Sequence, residues 1–255
     1  MARPVLDPAS TLDYPDTDGQ PMAESEFQLL PLLYAVAALR AHFRSRADVY
    51  VGGNMFVYYE EGNRAAVVAP DVFVVIGTPK RVRSSYLLWR EPKGPDFVLE
   101  ITSHSTRSQD QQEKPTIYAR LGVREYFQYD PTGDYLVPQL QGWRLVAGRY
   151  APLAATGWPT GDLTLHSEVL GLDLRLAGDT LRFYDPTAGR PLLTYEEAEQ
   201  ARQQAEQAQQ QAEQAQQQAE AQARQEAALR QAAEARLAEL EARLQALQAP
   251  RPPTS

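Results

Sequence analysis

The chain contains no cysteine, which excludes disulfides, thiolate metal sites and cysteine nucleophiles at once. Histidine is almost as scarce: His42 and His166 stand alone in sequence and read as structural or exposed, and no zinc-spaced pair exists. His104, in a loop after Ser103, can donate to a phosphate or simply be solvated. Long apolar runs are missing too. The longest, residues 29–39, is too short to span a bilayer and carries Pro31. The first residues lack a basic segment followed by an apolar one, so no signal peptide is expected and the protein reads as soluble and cytoplasmic, with no membrane partner. There is no glycine-rich phosphate loop and no serine nucleophile elbow. Glycoside hydrolysis also uses paired carboxylates, but no aromatic sugar platform accompanies them here. Lysine is rare as well. Lys80, Lys93 and Lys114 are the only lysines among 25 basic residues, so each raises the question of whether a compact ammonium is needed there.

What is present points to one sizeable globular domain and a tail. The net charge of −8 argues against a protein that merely coats nucleic acid. About half of it belongs to the tail, where ten acids and six arginines follow from Tyr195 onward. Locally the balance reverses, since Lys80, Arg81, Arg83, Arg90 and Lys93 crowd together. That cluster either grips backbone phosphates or is a solvated loop whose Tyr86, Leu87, Leu88 and Trp89 need cover.

Periodicity predicts a helix over residues 24–43, with Phe27, Leu30, Tyr34, Ala37, Ala38 and Ala41 on one face. Strands are expected at 49–51, 55–59, 71–76, 96–102 and 124–129, which are rich in β-branched and aromatic residues. A second helix belongs between 106 and 121, with Gly122 as its C′ residue. Pro115 either kinks that helix or opens its regular part, where a missing N–H costs nothing. From 135 to 183 short β-like segments suggest a meander that widens the sheet.

Two carboxylates stand out. Asp71 opens an apolar strand, as a strand-edge charge or as a ligand presented at a sheet's end. In the run Asp96-Phe97-Val98-Leu99-Glu100-Ile101-Thr102, Glu100 shares its face with Val98 and Thr102, while Phe97, Leu99 and Ile101 take the other. Both faces are largely apolar, so Glu100 is expected inside, where an ionised carboxylate needs a cation, a partner or hydrogen-bond donors. In the next helix Asp110, Lys114 and Tyr118 are spaced by four and share a face. A strand acid followed by a helix lysine suits attack on a phosphate, with carboxylates holding Mg²⁺ and the ammonium orienting water or steadying charge. An ordinary ion pair for Glu100 and an intrahelical Asp110–Lys114 pair are the plainer alternatives.

These residues resemble the Uma-type restriction endonuclease family, part of the PD-(D/E)xK nuclease superfamily. The likeness runs through Pro70-Asp71-Val72-Phe73-Val74-Val75 and Pro95-Asp96-Phe97-Val98-Leu99-Glu100-Ile101-Thr102-Ser103. It continues through Ser105-Thr106-Arg107, Asp110, Lys114, Tyr118-Ala119-Arg120-Leu121-Gly122-Val123 and Glu125-Tyr126-Phe127 to Asp130-Pro131. The resemblance implies an α+β fold, a restriction-endonuclease-like mixed sheet flanked by helices. It implies Asp71 and Glu100 as metal ligands for Mg²⁺ or Mn²⁺, Lys114 as the third catalytic residue, and DNA as substrate. Thr102 stands where the superfamily's lysine would be, and Lys114 on the next helix takes over that charge. On this reading Glu24 or Glu26 on the first helix is expected to supply a further acid, Thr102, Asp110 and Tyr118 are additional candidates, and Arg107, with Lys80 and Arg81 of the basic cluster, is expected to contact the substrate. The other class of reading is a nuclease-fold scaffold with little catalysis.

The tail changes character. Alanines from Ala198 to Ala219 alternate spacings of three and four, and the seam then passes to Ala233, Leu237, Leu240, Leu244 and Leu247. Leu229, Ala233 and Leu237 mark a stutter that locally unwinds a supercoil. A homo-oligomeric coiled coil, a dimer in the simplest case, is expected; a single solvated helix held by alanine propensity is the alternative. The organisation expected is an irregular arm at 1–21, a nuclease-like domain at 22–190, a long helix at 191–248 and a frayed end at 249–255.

Overall fold

A computed structural model describes residues 14–15, 25–103, 112–157 and 163–248, with side chains as far as 244 in the last segment. The first helix, α1 (Glu26–His42), follows Ser25, whose carbonyl accepts from the N–H groups of Gln28 and Leu29. Its buried face is Leu32, Ala35, Ala38 and Leu39, with Tyr34 packed against the same core, so of the periodic stripe Tyr34 and Ala38 turn inward while Phe27, Leu30, Ala37 and Ala41 do not. Phe27 and Leu30 are 64% and 62% exposed. Leu29 to Leu39 is apolar nearly all round, so several stripes satisfy a 3.6-residue repeat and only packing chooses among them.

After α1 come β1 (Val49–Gly53), β2 (Val57–Tyr58), β3 (Val67–Val68), β4 (Val72–Ile76), β5 (Tyr86–Leu87) and β6 (Phe97–Ile101). Then follow α2 (Lys114–Arg120), β7 (Glu125–Tyr129), β8 (Leu140–Val146) and β9 (Arg149–Pro152). Six of these strands form the main sheet in the order β1-β4-β6-β7-β8-β9. All its pairs are antiparallel except β6 with β7, because the connection through α2 returns the chain to the start of the sheet. A small sheet, β3-β2-β5, is separate from it in hydrogen bonding but shares a core with it through Val57, Val68 and Tyr86. Close packing leaves its mark at Gly52, where a Cβ would lie 2.3 Å from the Phe73 ring.

Both faces of the main sheet are covered, as the apolar character of β6 requires. Phe97, Leu99 and Ile101 join α1's buried residues in one core, while Val98 joins Tyr86, Tyr118 and Tyr126 in the other. The later strands correct one expectation. Only β8 and β9 widen the main sheet. The strands β10 (Thr156–Gly157), β11 (Leu163–Ser167), β12 (Leu172–Ala177), β13 (Thr180–Asp185) and β14 (Arg190–Pro191) make a separate antiparallel sheet. Its inward residues Leu165, Leu174 and Phe183 are register neighbours that complete the α1-side core. Alternation identifies such strands but is blind to which sheet they join. The Tyr34 hydroxyl ties α1 to this sheet, donating to the Leu192 carbonyl at 3.2 Å and accepting from Phe183 N at 2.9 Å.

The chain divides into two units, residues 1–195 and 196–255. The second is nearly all one helix, α3 (Tyr195–Gln248), of 54 residues. At 1.5 Å per residue it extends about 80 Å. Pairs such as Arg202–Glu206 at 2.7 Å run along it, and Leu237, Leu240 and Leu244 are all more than half exposed. Among the described residues no helix is long and apolar enough to cross a membrane.

Candidate active site

The antiparallel register of β4 with β6, in which Val72 faces Leu99, sets Asp71 across from Glu100 one step beyond. The two are hydrogen-bonded through the backbone. Ile101 N donates to Asp71 Oδ2 at 2.6 Å, and Asp71 N lies 3.4 Å from Glu100 Oε2. Glu100 is wholly buried on the α2 side of the sheet. Two carboxylates so placed repel unless a cation joins them.

Helix α2 brings that cation. Lys114 Nζ lies 2.9 Å from Glu100 Oε2. One turn on, the Tyr118 hydroxyl donates to Glu100 Oε1 at 2.5 Å. Both side chains leave the same helix face, as their spacing predicts. Pro115 occupies the first turn, where it needs no partner for its missing N–H, so it starts the regular helix and leaves Lys114 facing inward. At the other end, Val123 N bonds to Tyr118 O at 3.0 Å and Gly122 N to Ala119 O at 3.1 Å, with Gly122 at φ +76. That is a Schellman motif, and its apolar contact joins Tyr118 to Val123 in one core cluster. A helix this short cannot hold itself in water, so these caps and contacts are what fix it. Burial, and after it the negative charge of Glu100, pushes the Tyr118 phenol well above its ordinary pKa. It therefore remains a donor and pins the carboxylate's orientation.

Thr102 is buried on the same strand face as Glu100, and its hydroxyl has no hydrogen-bond partner among the described residues. The ammonium that a lysine there would supply arrives instead from α2. Among the described residues no three acids or histidines converge. A pair of carboxylates is too few for an all-protein cage and suits a hard ion that keeps most of its waters, Mg²⁺ or Mn²⁺. Asp71 and Glu100 are the two residues of the site that could hold such an ion.

The remaining candidates lie elsewhere. Lys80, past the opposite end of β4 from Asp71, donates to the Phe43 and Arg44 carbonyls at 2.6 and 3.1 Å and so caps α1. Arg81 and Arg83 both bind Glu91, and Lys93 binds Asp96 at 2.5 Å. Burial alone would raise the Glu91 pKa, but these arginines outweigh it and hold the carboxyl below its ordinary value. Within the same stretch Tyr86 is buried and Trp89 packs on Tyr14. The local basic cluster is thus largely neutralised within the fold. Glu26 is exposed in the first turn of α1. Glu24, His104, Arg107 and Asp110 lie outside the described residues.

Gln128 is a neighbour that sequence reasoning passes over. It is buried on β7 as the register partner of Glu100. A lone amide in the apolar alternation Tyr126-Phe127-Gln128-Tyr129 is the signal that could have found it. Beside it opens a cleft of about 360 Å³, lined among the described residues by Pro115, Tyr126, Gln128, Gln141, Trp143 and others.

A family model described as "Uma2: Putative restriction endonuclease" matches residues 17–177. Among solved structures, the chain is similar to "a putative nuclease belonging to DUF820" from Anabaena variabilis ATCC 29413. The two are 13% identical with a TM-score of 0.40, over 55% of this chain and 75% of that one. No curated protein matches the chain.

Proposed function

The chain belongs to the Uma2 family, described as putative restriction endonucleases, and on that footing we propose that it is a metal-dependent endonuclease hydrolysing DNA phosphodiester bonds. The observation that carries this reading is the Lys114 ammonium 2.9 Å from a wholly buried Glu100 that stands across the sheet from Asp71. Asp71 and Glu100 hold Mg²⁺ or Mn²⁺, which supplies Lewis-acid stabilisation of the phosphate's developing charge. Lys114 is near enough to the carboxylates to orient the attacking water or to balance charge on the phosphate. Tyr118 keeps Glu100 in one rotamer, so the carboxylate does not have to be ordered when substrate arrives.

The test is nicking of supercoiled plasmid and cutting of single-stranded DNA with Mg²⁺, with Mn²⁺ and with a chelator. Cleavage is expected with either ion and is expected to disappear on chelation. Calorimetric titration showing no binding of either ion, together with intact DNA, would sink the endonuclease and favour a nuclease-fold scaffold.

The tail joins two copies of the chain. Leu237, Leu240 and Leu244 repeat at a coiled-coil spacing and are exposed on α3, and burying such a seam against a second copy removes it from water. Sedimentation equilibrium is expected to give a dimer for the full chain and a monomer for the doubly substituted Leu237→Ser, Leu244→Ser protein. A wild-type monomer at micromolar concentration contradicts this.

A further inference from the structure

The cleft beside α2 has a chemical character unlike that of the carboxylate site. Its described lining includes no lysine or arginine, so it is no second phosphate site. Instead it combines aromatic faces with side-chain amides. Trp143 stacks on Tyr126 with centroids 5.6 Å apart and planes 23° from parallel, and Tyr126 in turn meets Tyr118 at 5.4 Å. Trp143 is the half-buried end of this ladder, whose other end holds Glu100.

The amides are placed by strand register. Glu100 pairs with Gln128 across β6 and β7, and Gln128 pairs with Gln141 across β7 and β8. A carboxylate and two amides therefore form one row across three adjoining strands, with about 4.8 Å between neighbours. Each amide is steadied by a hydrogen bond: Gln128 Nε2 donates to the Tyr126 hydroxyl at 2.8 Å, and Gln141 Nε2 to the Pro138 carbonyl at 3.1 Å. Glutamine carries both a donor and an acceptor, the combination that reads a base edge, and aromatic rings stack on any base. A volume of about 360 Å³ is at the small end of ligand pockets and too narrow for a duplex.

From these features we propose that the cleft receives one unpaired nucleobase of the DNA strand, next to the phosphate that faces Lys114. This rests on the nuclease reading for the identity of the polymer, but its test does not require cleavage. A base seated on Trp143, with its edge at Gln128 and Gln141, sets the phosphate's position relative to Lys114 and gives preference for single-stranded or locally opened DNA.

The experiment is anisotropy of a labelled single-stranded oligonucleotide, measured in chelator so that nothing is cut. Three proteins are compared: wild type, Trp143→Leu and Trp143→Phe, each checked for an unchanged melting transition. Loss of one stacked base is expected to weaken binding roughly ten- to hundredfold in the leucine variant. Phenylalanine is expected to restore most of it, and the leucine variant is expected to lose its deficit on an abasic strand, which a purely packing role for Trp143 does not predict. Wild type should also bind a fully abasic strand and intact duplex more weakly than the normal single strand. Equal affinity for normal and abasic strands, or an unaffected leucine variant, overturns the base cleft. Neither result bears on ion-dependent nicking, so the two readings fail separately.

Discussion

Asp71→Asn is expected to lower ion-dependent cleavage at least about a thousandfold while leaving the fold intact. A metal ion contributes several kcal/mol to stabilising charge at a phosphate, and each 1.36 kcal/mol is a factor of ten. Asparagine is the informative choice because Asp71 has two tasks. Its Oδ2 accepts from Ile101 N at 2.6 Å, and an asparagine oxygen can keep that bond while losing the charge. Asp71→Ala is expected to abolish cleavage equally, but also to leave the Ile101 N–H without its acceptor, at a cost of about 1–3 kcal/mol in stability. Comparing the two by plasmid nicking and by thermal unfolding separates ligand loss from strand damage. An asparagine variant that cleaves at the wild-type rate removes Asp71 from the metal site.

The largest effect on stability is expected at Glu125, one strand over and facing the other way. Its carboxylate is 1% exposed. It accepts from Arg144 Nη2 at 3.0 Å, Ser167 Oγ at 2.5 Å, Glu168 N at 3.0 Å and Val169 N at 3.3 Å. It thereby fastens the turn after β11 to the main sheet. Glu125→Ala takes the acceptor from Ser167 Oγ, two backbone N–H groups and one side of the Arg144 guanidinium, which keeps only Glu168 at 2.6 Å, and breaking a buried pair costs about 3–5 kcal/mol. The Arg144 side chain is 31% exposed, so water takes over part of its solvation and the lower half of that range is expected. For a unit of this size that is a fall of roughly 10 °C in Tm. Activity per folded molecule should hardly change, since Glu125 faces away from Glu100. A loss of cleavage without loss of stability contradicts the assignment.

Glu100 and Glu125 show how far residues alone can be read. The alternation in β6 is regular enough to place Glu100 inside, and the spacing of Lys114 and Tyr118 places them on one helix face. Neither pattern measures the distance across the gap, so ion pairing stays open until the strand and helix are set against each other. Glu125 lies in a strand of the same kind, yet nothing local tells that its partners come 19 and then 42 to 44 residues later. The face of α1 is legible only at Tyr34 and Ala38, for the opposite reason, because too many of its positions are apolar. For Lys80 and Arg81 the run of cations says nothing of Glu91 or of the end of α1, which engage them.

The Schellman turn at Gly122 has a consequence for how the centre tolerates change. Helix α2 is anchored at its C-terminal end, so the angular setting of Lys114 is counted backwards from Gly122. Each residue added or removed between them would swing the ammonium by about 100° around the helix axis. The acids would stay where the sheet puts them, without their counter-ion. Length in this short segment is therefore as strict a requirement as the identity of the lysine.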